Sequence, residues 1–65
     1  MGDLYKVVII TPRGSLLNTY EVRNLEILKD DLAYQYPKLN VDKLLQNEEY
    51  TDDNSYKFLL HHFSW

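Results

Sequence analysis

Leu4-Tyr5-Lys6-Val7-Val8-Ile9-Ile10-Thr11, Pro12-Arg13-Gly14-Ser15, Leu16-Leu17-Asn18-Thr19-Tyr20-Glu21-Val22: two arms and a break between them decide how this chain folds. β-Branched and aromatic residues crowd each arm, and a short turn carrying Pro and Gly joins them, which is the pattern of a β-hairpin. Side chains alternate along a strand, so Tyr5, Val7 and Ile9 share one face and Leu4, Val8 and Ile10 the other. Both faces of the first arm are therefore apolar. A strand of that kind belongs in the middle of its sheet, or has its second face covered by a helix or another subunit.

Working outward from the hairpin, Asn24 can cap a helix that begins at Leu25, with Glu26 in the first turn where the helix dipole favours an acid. Leu25, Leu28, Leu32 and Tyr36 recur at intervals of three and four and form one stripe, which faces the sheet. Pro37 disfavours helical geometry at Tyr36 and ends the element there. Asn40 is a second cap, with Leu39 before it and Leu44 after it placed as a hydrophobic staple for a short helix over 41–46. Residues 47–55 are polar and read as a loop, with room for a brief strand near Tyr50. The segment 56–65 has strand length and aromatic content and joins the hairpin as a third antiparallel strand. The expected fold is α+β: one domain over 1–65, a small three-stranded antiparallel sheet with one main helix packed on it, ordered β-β-α-(short α)-β.

Sixty-five residues make a small core, because a chain of this length buries only ~60% of the surface it exposes when unfolded. Without cysteine there is no disulfide framework, which fits a reducing cytoplasm, and small domains lacking such staples often oligomerise. The longest wholly apolar run is the four residues Val7 to Ile10, far short of a membrane span. His61 and His62 are adjacent and point to opposite faces of a strand, a poor arrangement for holding one metal ion. No Cys nucleophile, glycine-rich phosphate loop or HExxH is present, so enzymatic chemistry and a cofactor are not expected.

Charge is unevenly distributed. Residues 1–24 hold Lys6, Arg13 and Arg23 against Asp3 and Glu21, whereas residues 25–55 hold eight acids against Lys29, Lys38 and Lys43. Such acidity argues against direct nucleic-acid binding, which depends on Lys and Arg contacts to phosphate. Two readings of the acidity stand side by side: a basic protein surface as partner, or charge that serves only to keep a small protein soluble. On the helix, Ile27, Asp31 and Tyr34 lie opposite the apolar stripe with Asp30 alongside, an exposed apolar and aromatic pair framed by carboxylates. Tyr is enriched among interface hot spots, so this face is a candidate contact surface. Glu48, Glu49, Asp52 and Asp53 lack the spacing of a calcium loop; they read first as a solvated acidic loop, and in a sharper alternative as carboxylates standing where DNA phosphates would.

The chain resembles the short phage uracil-DNA glycosylase inhibitors, acidic homodimeric DNA mimics. The matching residues are Tyr5 and Val7 in the first strand, Tyr20-Glu21 in the second, and the acid-x-x-Tyr pair Asp31 and Tyr34 on the helix. The resemblance implies a groove between paired helices of a dimer that captures an apolar side chain of the glycosylase. It places Asp31 and Tyr34 at that groove and Glu21 as a flanking acid. The family carries an aromatic residue where this chain has Asp30, and Leu32 or Tyr36 is the local substitute. The expected function is thus a protein inhibitor of host uracil-DNA glycosylase in the host cytoplasm, with Ile27, Asp30, Asp31, Tyr34, Glu21, Glu48 and Glu49 as contact residues. Acidity and size fit equally an inhibitor of a restriction or CRISPR nuclease or of RNA polymerase. A small self-assembly module is the reading from outside that class.

Overall fold

The computed structural model describes residues 2–65. Its elements are β1 (Asp3–Ile10), β2 (Leu16–Val22), α1 (Leu25–Gln35), α2 (Val41–Asn47), β3 (Glu49–Thr51) and β4 (Lys57–Ser64). The strands form one antiparallel sheet in the order β2-β1-β4-β3. β1 is indeed central, hydrogen-bonded to β2 on one side and along its whole length to β4 on the other. The fold is α+β as expected, but the sheet has four strands rather than three, and the order is β-β-α-α-β-β.

The additional strand arises in the segment read as a loop. Asp52 accepts the backbone N–H groups of Asn54 and Tyr56 on Oδ1, both at 2.9 Å. Its own N–H donates to the Tyr56 carbonyl and its carbonyl accepts from Ser55. Ser55 adopts a left-handed conformation, φ 68°. The first hairpin is closed by the same scheme. Thr11 N–H donates to the Ser15 carbonyl, Gly14 N–H to the Thr11 carbonyl, and Ser15 N–H to Thr11 Oγ1, with Gly14 at φ 87°. Thr11-Pro12-Arg13-Gly14-Ser15 and Asp52-Asp53-Asn54-Ser55-Tyr56 are thus two solutions to one three-residue hairpin turn, in which the third loop residue must be left-handed. Glycine advertises that requirement in the first; serine conceals it in the second.

Register sorts the side chains. Tyr5, Val7 and Ile9 of β1 stand beside His62, Leu60 and Phe58 of β4 and face the helices. α1 lies against β2, and α2 against β3 and β4. Val7, Ile9, Phe58 and Leu60 from the sheet meet Leu28, Leu32, Leu39 and Leu44 from the helical layer, and these eight side chains are the buried core. Both predicted caps form: Asn24 Oδ1 accepts from Glu26 and Ile27, and Asn40 Oδ1 from Lys43. Leu39 and Leu44 are both buried, as a staple across the start of α2 requires. Leu32 is 1% exposed and packed in this core, so it cannot be the groove residue that replaces an aromatic at Asp30.

Gly2 and Trp65 meet. Gly2 N–H donates to the Trp65 carbonyl at 2.7 Å and Trp65 N–H to that of Gly2 at 3.0 Å, one rung beyond the strands. The Trp65 ring lies so close over Gly2 that a Cβ there would sit 2.7 Å from it, and the Arg23 guanidinium stands 5.8 Å from the ring centroid.

Left-handed geometry at a non-glycine residue costs about 1–2 kcal/mol, more for a β-branched side chain. Ser55→Val should therefore destabilise the protein by roughly 1 kcal/mol or more, read from the urea-unfolding midpoint at unchanged slope. Ser55→Gly should not lower stability. Equal midpoints for serine and valine would remove the strain assigned to this turn.

Candidate functional site

α1 is oriented by a small polar relay as well as by its leucines. Tyr20 on β2 donates its hydroxyl proton to Gln35 Oε1 at 2.5 Å. Its oxygen lies 3.2 Å from the Tyr36 hydroxyl. With the Tyr20 proton committed to Gln35, Tyr36 is the donor in the second bond. Burial, reinforced by this hydrogen bond and by the neighbouring Tyr20, pushes the Tyr36 phenol up to about 12. Tyr36 also packs edge-on against Phe58, with 5.3 Å between centroids. It is therefore a structural residue that pins the C-terminal turn of α1, and it is not available to line a groove on the opposite face.

With Leu28 and Leu32 turned inward, the outer surface of α1 is fixed by helical geometry. Tyr34 is 87% exposed and Ile27 53% exposed, the two apolar groups of that surface. Asp30 and Asp31 are exposed beside them, as the sequence indicated. Glu26, one turn before Asp30, completes the rim; the same 100° arithmetic places it there, but in the sequence it reads first as an acid serving the helix dipole. Glu26 reaches Lys29 only at the edge of ion-pair range, 4.0 Å, with both side chains well exposed. That contact contributes little to stability.

The other candidate acids are not brought to this surface. Glu21 lies opposite Lys6 on the face of the sheet that points away from the helices, and Glu49, opposite Leu59, points the same way. Glu48 closes α2 in a left-handed conformation, φ 62°, and its carbonyl accepts the Leu60 N–H at 2.9 Å. Asp52 is consumed by the turn described above. The acidic loop of the sequence is therefore divided among a helix cap, a strand and a hairpin turn. It does not form a continuous row of carboxylates.

Elsewhere, His62 stacks on Tyr5 at 4.4 Å between centroids and meets Asp3 Oδ1 at 3.0 Å, while His61 lies on the opposite face with Phe63. Among the described residues no three His, Asp or Glu side chains converge as metal ligands would. No helix among them is long and apolar enough to cross a membrane. An open, largely apolar depression of about 290 Å³ runs beside Gln35, Tyr36, Leu39, Asp52 and Phe58. Its one carboxylate, Asp52, is already occupied by two backbone N–H groups.

Compared with protein families, with curated proteins and with solved structures, the chain matches none.

The Tyr36 phenol ties ionisation to folding. An unfolded tyrosine ionises near 10, the folded Tyr36 only near 12. Across that interval the unfolded chain has lost a proton that the folded chain still holds, so stability must fall as pH rises. The contribution is complete below pH 10 and is lost on passing through about 12. Urea midpoints measured across this window should decline for the native sequence and decline less steeply for Tyr36→Phe. Parallel declines would show that Tyr36 does not couple to folding.

Proposed function

We propose that this chain is a protein inhibitor that docks the outer face of α1 on the basic DNA-binding surface of a nucleic-acid enzyme, acting as a DNA mimic. The observation that carries the reading is Tyr34, an almost fully exposed aromatic side chain beside Ile27, set among the carboxylates of Glu26, Asp30 and Asp31. Tyr34 and Ile27 bury little of their apolar surface within the fold, which leaves that surface free for a partner. An exposed aromatic on a rigid helix is preorganised to fill a pocket on a partner, and apolar burial of that kind supplies most of the affinity at a hot spot. The surrounding acids speed encounter and fix orientation against a basic surface, and their effect weakens as salt screens them.

Uracil-DNA glycosylase is the target to which the Tyr5, Tyr20-Glu21 and Asp31-x-x-Tyr34 resemblance directs the proposal. Within this reading Tyr34 and Ile27 supply the apolar contact with the enzyme while Asp30, Asp31 and Glu26 stand toward its basic DNA-binding surface. Glu21 and Glu49 stand outside the contact, because they face away from α1.

Titrating the protein against bacterial uracil-DNA glycosylase on a uracil-containing oligonucleotide should abolish excision stoichiometrically, with weaker inhibition at higher salt. Tyr34→Ala should weaken inhibition by about 2 kcal/mol, roughly thirtyfold. Glu21→Gln should leave it unchanged. Absence of inhibition at tenfold excess would reject the glycosylase, and a pull-down from bacterial lysate using native and Tyr34→Ala protein would then identify which enzyme the face retains.

A further inference from the structure

The sheet has two faces, and the described residues cover one of them. On the uncovered side stand Leu4, Val8 and Ile10 of β1, Leu59 and Phe63 of β4, and Trp65 beyond it, placed together by the β1–β4 register and by the Gly2–Trp65 rung. None of these side chains belongs to the core or packs against it. Phe63 and Trp65 remain 49% and 62% exposed. A sheet that has water on one face normally alternates apolar and polar residues, so an apolar second face on the two central strands signals a missing layer.

We propose that this layer is a second copy of the same chain, the two sheets packing face to face with their helices outward. Charge distinguishes this occupant from the others. The uncovered face carries Lys6, Arg23 and Lys57 against Glu21 and Glu49, nearly neutral and mixed in sign, whereas the remainder of the protein holds eight acids and four bases. A mixed face can be self-complementary across a two-fold axis, where each residue's contact is made twice. Pairing the outer faces of α1 would instead bring Glu26, Asp30 and Asp31 against their own copies. Nucleic acid is a poorer occupant, because Glu21 opposite Lys6 and Glu49 opposite Leu59 offset the bases and leave the face a single net positive charge.

Size fits a small, reversible dimer. Strands of eight, seven, three and eight residues, about 4.8 Å apart, make a face of roughly 400 Å², so two copies would bury somewhat under the ~1,000 Å² lower bound for a stable specific interface. The edges offer a weaker route to association. β3 is three residues long, and β2 is interrupted by a bulge at Leu17, with the Thr19 N–H taken by its neighbour Asn18 Oδ1 at 2.8 Å. Short, bulged and self-satisfied edges resist strand-to-strand pairing. The face remains.

The arrangement has a consequence for stoichiometry. With sheets at the centre, the two α1 surfaces lie on opposite sides of the dimer, so each chain presents a separate docking face. The paired-helix groove that the family resemblance implies would not form.

Light-scattering mass measurement of the full chain at micromolar concentration, at low and high salt, tests the proposal without reference to any target. The expected mass is twice the 7.8 kDa of one chain and persists at high salt. Leu59→Lys and Phe63→Lys, each checked for native circular dichroism, should weaken the dimer at least tenfold, and Ile27→Lys on α1 should leave it intact. A monomeric native protein would overturn the proposal. So would a dimer unaffected by both sheet variants, or one dissociated by Ile27→Lys. Retention of a labelled single-stranded oligonucleotide by a monomer would give the face to nucleic acid instead.

Discussion

Everything in this protein hangs on β1 being hydrogen-bonded along both edges. Its backbone is satisfied by β2 on one side and by β4 on the other, and Val7 and Ile9, both 0% exposed, are the floor on which the helices rest. Because β4 comes late in the sequence, this pairing also brings Gly2 to Trp65. The ladder extends to those two residues and closes the described chain into one cooperative unit. A 65-residue domain with eight buried side chains among the described residues has little stability to spare, so the core and this long-range ladder must form together.

The two sides of the sheet then diverge. One carries a helical layer fastened by leucines, by two asparagine caps and by the Tyr20–Gln35–Tyr36 relay, which together hold the outer surface of α1 rigid. The other is an uncovered apolar face of nearly balanced charge. Two surfaces of different chemistry therefore stand on opposite sides of one sheet and share no residues: an acidic helix surface bearing Tyr34 and Ile27, and a sheet surface bearing Val8, Leu59 and Phe63.

Much of this was legible from local pattern. Period-two alternation in residues 4–11 marked β1 as two-faced, and period-3.6 spacing of Leu25, Leu28 and Leu32 oriented α1 well enough to put Ile27, Asp31 and Tyr34 outside. The missed strand is instructive. Residues 49–51 are short and polar, so the sequence left room for a strand near Tyr50 without counting it in the sheet, and the turn that follows uses Ser55 where glycine would have betrayed the left-handed position. What makes β3 a strand is its partner β4, and a partner is not a local property. Grouping Glu21, Glu48 and Glu49 with the helix acids failed for the same reason. Proximity in composition does not state which side of a sheet a residue occupies.

Sequence alone determined the hairpin, the two helices and the last strand, the caps, the buried stripe of the main helix and the centrality of the first strand, because each follows from side-chain periodicity or from a backbone group needing a partner within a few residues. Tertiary structure decided strand order, the division of the carboxylates between two surfaces, the commitment of Tyr36 to the Tyr20 relay and the exposure of the second apolar face. Those outcomes depend on register between segments up to sixty-three residues apart, Gly2 against Trp65 being the extreme. A single residue of slip in such pairing would exchange every inward side chain for its outward neighbour.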